Sequence, residues 1–354
     1  MRIVWRYVLS RFLASLLAVL TILILLVFVI EILLDFDVLE SEKGIWLVFL
    51  KILSSYLLQY MLPAAALFGA FISLGSAARA REFLALKAGG ISPIRASLPI
   101  LAASVLLAGI SYLLLDTVVV AASQAFNRET RGGASELSFR QGTFWYHSAP
   151  YVYNFADLSE SGDTVHDVVV FERDDHSRLI RRIGATSATV VDRTRWRFND
   201  ATTHHFDPEA PDSPPRVERA EEVVLDFDEQ PSAALLKWEV AALSSRELRS
   251  HIAHRIRQGR NVTRGRALLH DRYSEPIAVM LFSLLAIPIG LRVEQTRSLS
   301  RGALQAVLAM FAYYSVRQLA STLAAVGVLP AVTNWATALI VAGAGVFALS
   351  RLPR

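Results

Sequence analysis

Charge-free apolar runs alternate with short charged stretches along most of the chain. A helix crossing a bilayer needs about 20 mostly apolar residues, and residues 12–30, 52–78, 96–115 and 276–291 form four runs of about that length. Tyr273 and Ser274 extend the fourth backwards. From 302 to 350 the only charge is Arg317, and that stretch is too long for one crossing. Gly327 and Pro330 in "AAVGVLPAVTNW" predict the turn that divides it, giving six spans. Arg2, Arg6 and Arg11 precede the first run, as they would in a signal peptide. Its length, and the acids rather than a small-residue cleavage site that follow it, predict a retained span.

Between the third and fourth runs the period changes. "GTFWYH", "APYVYNFADL", "VHDVVVFERD", "RLIRRIGATSATVV", "TRWRFNDATTHHF" and "AEEVVLDFDE" are short Val- and aromatic-rich segments broken by Gly, Asp, Asn and Pro, which predicts strands. Trp196 and Phe198 alternate with Arg195 and Arg197, and Val223, Leu225 and Phe227 with Asp226 and Asp228. Strands of this kind bury one face, as in a sandwich or jelly roll. A helix follows: Ser244 and Glu247 have capping-box spacing, and Leu248, Ile252 and Ile256 share a face up to Gly259. The predicted fold is a membrane α-helical bundle of six transmembrane helices with an inserted all-β, jelly-roll-like domain. Spans one to three occupy 1–120, with a charged loop helix at 77–88. The β domain is 121–243, an amphipathic linker helix 244–270, and spans four to six 271–354.

Composition agrees: 354 residues at 53% hydrophobic are too apolar for an ordinary soluble protein. The net charge is only +4, so its distribution carries the information. Residues 1–11 hold three Arg and no acid, 76–98 four bases and one acid, and 292–301 three Arg and one Glu. The 31–46 junction holds Glu31, Asp35, Asp37, Glu40 and Glu42 against Lys43. Positive short loops stay in the cytoplasm, so both termini are expected there and 121–270 outside. The eight Arg of 244–272 run against this, but the rule weakens at the end of a long translocated domain. An odd number of spans is the alternative.

With no cysteine, disulfides, Cys-ligated metals and thiol catalysis are excluded. The chain has no P-loop, HExxH or GxSxG, so it carries no nucleotide-hydrolysing or hydrolase motif of its own. His251 and His254 lie three apart on a helix without a carboxylate to complete a metal site, and read as exposed helix residues. His204 and His205 are adjacent on a strand and face opposite sides. No metal, cofactor or nucleic acid is expected.

The loop "SAARAREFLALKAGGISPIRAS", 76–97, reads as a short amphipathic helix from about 77 to 88. Gly89-Gly90 supplies a left-handed stop, and Ser92-Pro93 starts the next span. Its apolar side suits a partner's groove, with Glu82 as the carboxylate for a basic residue there. The plainer reading is a solvated connector whose bases serve topology and anionic lipid.

The order of features resembles the permease subunits LptF and LptG of the lipopolysaccharide-export ABC transporter. "REFLALKAGGIS" (81–92), "QGTFWYH" (141–147), "YSEPIAVMLFSLLAIPIGLR" (273–292) and "GVLPAVTNW" (327–335) carry it, in the family's order over nearly the whole chain. "LSSRELRSHIAHRIRQG" (243–259) is closer to the LptG branch. The resemblance implies that the 77–88 helix is the coupling helix for a cytoplasmic ABC ATPase dimer, with Glu82, Arg81, Phe83, Leu86 and Lys87 at the contact. It implies a second homologous permease as heterodimer partner, a single-span LptC-like protein, a periplasmic bridge protein, and lipopolysaccharide as cargo at the bacterial inner membrane.

One feature departs from the family. LptG-type chains carry Lys at the outer end of span one, where this chain has Glu31, Asp35 and Asp37, which repel phosphate unless a divalent cation or Arg intervenes; on that condition Glu31 and Asp35 are candidate lipid contacts. Arg317, Arg249 and Arg257 are then the basic residues expected at the lipid, with an ion pair to Glu31 or snorkelling as the structural alternative for Arg317. A membrane-anchored periplasmic scaffold without transport activity is the other class of function. Six spans with an internal Arg exceed what an anchor needs.

Overall fold

Helices and strands separate along the chain where the hydrophobic period changes. The computed structural model describes residues 1–34, 44–130, 136–140, 143–148, 150–158, 164–174, 176, 178–191, 195–208, 213–226, 243–257, 259, 261–296 and 298–351. In chain order the helices are α1 (Arg2–Leu34), α2 (Gly44–Ser55), α3 (Leu62–Arg79), α4 (Glu82–Ala88), α5 (Pro93–Leu114), α6 (Val120–Thr130), α7 (Ser245–Arg257), α8 (Thr263–Ser274), α9 (Ile277–Thr296), α10 (Leu299–Val326) and α11 (Thr333–Ser350). The strands are β1 (Glu136–Arg140), β2 (Thr143–Ser148), β3 (Tyr151–Phe155), β4 (Asp157–Leu158), β5 (Thr164–Arg173), β6 (Leu179–Val190), β7 (Arg195–His205) and β8 (Arg216–Asp226). Two compact units result: Met1–Ser123 with Thr263–Arg354, and Gln124–Val262.

In the helical unit, Arg2–Leu34, Leu57–Arg79, Pro93–Phe126, Ile277–Glu294 and Thr333–Ser350 are long and apolar enough to cross a membrane. The sixth long helix, α10, carries Arg317 and spans 28 residues, about 42 Å at 1.5 Å per residue. Helices α3 and α9 form its centre. Within the most apolar stretch, 67% of residues are buried in Leu57–Arg79 but only 6% in Arg2–Leu34. Leu17, Ile22, Leu25 and Val29 of α1 are accordingly exposed, as suits a lipid-facing surface. Close approach of α1 to α3 depends on Gly69, where a Cβ would lie 2.8 Å from Leu16 Cα.

Two prolines in these spans are compensated by side chains. Proline removes the bond to the carbonyl four residues back. Pro63 follows a π-helical turn, Leu57–Met61, and the freed Gln59 carbonyl accepts from the Tyr314 hydroxyl at 2.8 Å. Pro99 lies inside α5, and the Arg95 carbonyl accepts from the Trp5 indole at 3.2 Å. Each repair also ties one helix to another.

The turn at Gly327 forms as expected. Gly327 takes φ 89°, its N–H bonds to Ala324 O at 3.2 Å, and the Val328 N–H bonds to Leu323 O at 3.0 Å, so the turn ends α10 as a Schellman motif.

In the second unit, the strands form one antiparallel sheet in the order β1-β2-β3-β5-β6-β7-β8, with β4 beside β5. Successive strands pair except that β3 and the two-residue β4 both pair with β5, so the described strands run up and down. Trp196 and Phe198 are buried between exposed Arg195 and Arg197, which matches their alternation. Val223 on β8 is only half-buried, and Phe227 lies outside the described residues. Residues 121–130 are helical rather than the start of the β domain: "VAASQAF" lacks the β-branched runs of a strand and continues the preceding helix as α6. The capping box forms, with Ser244 N–H on Glu247 Oε2 at 2.8 Å and Glu247 N–H on Ser244 Oγ at 3.3 Å. Leu248 and Ile252 are buried while Ile256 is exposed. His251, expected at the surface, is buried and meets Phe144 edge-on at 5.5 Å, because it sits on the same face as Leu248 and Ile252.

Candidate functional site

The charged loop contains a break that its sequence pattern hides. The helix expected over 77–88 is two: α3 continues to Arg79, and α4 begins at Glu82. Arg81 between them has φ 60° and ψ 20°, a left-handed conformation that a side chain adopts only under constraint. The stop is at Gly90, φ 76°, with Gly90 N–H on Lys87 O at 2.9 Å and Ile91 N–H on Leu86 O at 2.8 Å. These bonds make a second Schellman motif. Ser92 caps α5 by its extended backbone, with no side-chain hydrogen bond, ahead of Pro93.

Reversal at Arg81 turns α4 back onto its own bundle. Phe83 is 1% exposed and belongs to the helical core, and Leu86 packs against that core. Both were expected in a partner's groove. The outward residues are Arg81, Leu84, Ala85, Lys87 and Ala88.

Glu82 has a partner within the chain. Arg11 Nη1 donates to its two oxygens at 2.8 and 3.1 Å, and the Tyr7 hydroxyl lies 3.2 and 3.3 Å from them. Arg11 also donates to Tyr7 Oη at 2.7 Å and, through Nη2, to Ser76 Oγ at 2.8 Å. One node therefore joins α1, α3 and α4. Lys87 pairs with Glu294 of α9 at 3.0 Å. Tyr7, Ser76 and Glu294 were not singled out from sequence, and Arg11 only as one of the basic residues ahead of the first span. The i, i+4 spacing of Tyr7 and Arg11 at the start of the first span is the one local signal that marks them.

These contacts, with Trp5 on Arg95, bring the three positive loops of the charge analysis to one end of the helical unit. At the other end, Glu31 pairs with Lys51 and with the Tyr56 hydroxyl. Lys51 thus neutralises Glu31, while Asp37, like Asp35, lies outside the described residues. Arg317 does not reach Glu31: it pairs with Asp271 of α8 at 3.0 Å and is 8% exposed. Arg249 and Arg257, on α7 of the other unit, are exposed. Among the described residues no group of three or more His, Asp or Glu is placed to hold a metal ion.

The geometry defines a class: a multi-pass membrane protein with a β domain inserted between its helices and a short charged helix fixed at one end of the bundle. The family model "Lipopolysaccharide export system permease LptF/LptG" matches residues 6–351, and the chain belongs to that family. The match covers both units. Among curated proteins none matches the chain. The protein is thus of a transporter-permease family of the bacterial inner membrane rather than of an enzyme family.

Proposed function

We propose that the chain is a permease subunit that draws lipopolysaccharide from the inner membrane and passes it over its β unit to a periplasmic bridge, driven by a separate cytoplasmic ATPase dimer. The observation that carries this reading is the family match over 6–351, which takes in the spans, the insertion and the charged helix together. A second homologous permease and a single-span LptC-like protein complete the assembly. Both termini lie in the cytoplasm and the β unit in the periplasm. Residues 243–259 favour the LptG branch.

Helix α4 is the ATPase-docking element. Its outward Arg81, Leu84 and Lys87 make the contact surface, and Phe83 anchors it from behind. Arg249 and Arg257 offer exposed cations to lipid phosphates. Arg317 holds α8 on α10 instead.

Co-purification tests the docking. The ATPase is expected to be recovered with the wild-type chain and lost with Glu82→Arg, which unseats α4 and reverses its charge. Full recovery of ATPase and of lipid export with Glu82→Ala and Glu82→Arg would remove α4 from the coupling role.

A further inference from the structure

We infer that Arg11 is the positioning residue that passes movement of α4 to α1. The inference rests on the reading of α4 as the ATPase-docking helix, and four observations carry it.

First, α4 is a seven-residue block between two left-handed residues, Arg81 at φ 60° and Gly90 at φ 76°. Backbone rotation at a few such positions lets a short rigid element swing as a unit. Second, the link from this block to α1 is polar and concentrated. Arg11 grips both oxygens of Glu82 while its other nitrogen holds Ser76. The paired side chains are only 31% and 32% exposed, so water screens the pair incompletely. Third, apolar packing around the node is incomplete. A cleft of about 510 Å³ opens beside it, walled by Ile3, Val4, Val8, Leu74 and Leu86. Close-packed interiors resist relative motion, whereas a cleft beside a strut leaves room for it. Fourth, only 6% of the most apolar stretch of α1 is buried, so beyond the Leu16–Gly69 contact little protein packing holds that stretch in place.

A partner pressing on the outward face of α4 therefore moves Glu82, and Glu82 carries Arg11 and α1 with it. Trp5 on Arg95 fixes the first turn of α1, so the pull at Arg11 tilts the helix about that point.

The test uses the full chain with its second permease and ATPase in proteoliposomes loaded with lipopolysaccharide. Arg11→Gln is expected to keep ATPase binding and ATP hydrolysis while lipid transfer per ATP falls about tenfold, within the range of known coupling free energies. Arg11→Lys, which keeps the charge, is expected to recover most of the transfer. Spin labels at Leu17, on α1 beyond Arg11, and at Leu84, both exposed, report the linkage directly. Their distance distribution is expected to stay narrow on nucleotide trapping in the wild type and to broaden in Arg11→Gln. Wild-type transfer per ATP by Arg11→Gln, or loss of ATPase binding by it, would overturn the inference. Leu84→Asp, on the outward face of α4 and outside the node, tests docking independently by co-purification of the ATPase, so failure of the docking reading is distinguishable.

Discussion

Arg317 donates to the Asp271 carboxylate across 3.0 Å and so joins α10 to α8 within the helical unit. The same guanidinium reaches the Asp271 carbonyl at 3.3 Å and the Tyr313 hydroxyl at 3.4 Å. The Ser321 hydroxyl donates to the other Asp271 oxygen. A charge this well surrounded is a structural element rather than an open lipid site.

Removing one partner of a buried pair strands the other, at a cost of about 3–5 kcal/mol. Asp271→Ala is expected to lower the thermal stability of the purified chain by that order. The double variant Asp271→Ala with Arg317→Met is expected to lose less than the sum of the single changes, because neither member of the pair is then left without the other. Simple additivity would show that the two residues do not act as a pair.

A photo-crosslinkable residue at position 317 is expected to react with residues 263–274 of its own chain and not with lipopolysaccharide. Mass spectrometry of the adducts decides. A lipid adduct at 317 would mean that the Asp271 contact opens to cargo.

Gly69 sets the spacing of α1 and α3, since the atoms a side chain would meet are Leu16 Cα and N, at 2.8 and 2.9 Å. Backbone atoms cannot rotate away, so Gly69→Val is expected to cost about 1–3 kcal/mol by overpacking. Gly109 of α5 is the control: a Cβ there meets nothing within 4 Å. Gly109→Ala is expected to be neutral or to stabilise by up to ~1 kcal/mol through helix propensity. Thermal unfolding of the two variants in the same detergent measures both.

In the β unit, Ser244→Ala removes the hydroxyl that accepts from Glu247 N–H. Loss of an N-cap costs about 0.5–2 kcal/mol. Amide hydrogen exchange is expected to quicken in the first turn of α7 and to stay unchanged in β5 and β6.

Sequence pattern reached whatever is decided within a few residues along the chain. The Ser244–Glu247 box, the Gly327 turn and the alternation around Trp196 are local, and each formed as read. Charge counting grouped the three positive loops, and the structure joins them through Trp5, Arg11 and Lys87. Distant pairings were not legible: Asp271 lies 46 residues before Arg317, Lys51 was not singled out as the partner of Glu31, and Arg11 stands 71 residues before Glu82. The expected helix over 77–88 failed for a related reason. Its amphipathic pattern is continuous, but the contact of Glu82 with α1 and the burial of Phe83 accompany a left-handed break at Arg81 that no residue type announces. His251 was misread although its place beside Leu248 and Ile252 put it on the buried face.

The central claim is that this chain moves lipopolysaccharide rather than merely anchoring a periplasmic domain. ATP-dependent transfer of lipopolysaccharide from proteoliposomes to an acceptor tests it most directly. The full chain, with its second permease and the ATPase, is compared with residues 124–262 fused to one unrelated span. Transfer is predicted only with the full chain and only with ATP; equal transfer by the single-span fusion would contradict the account.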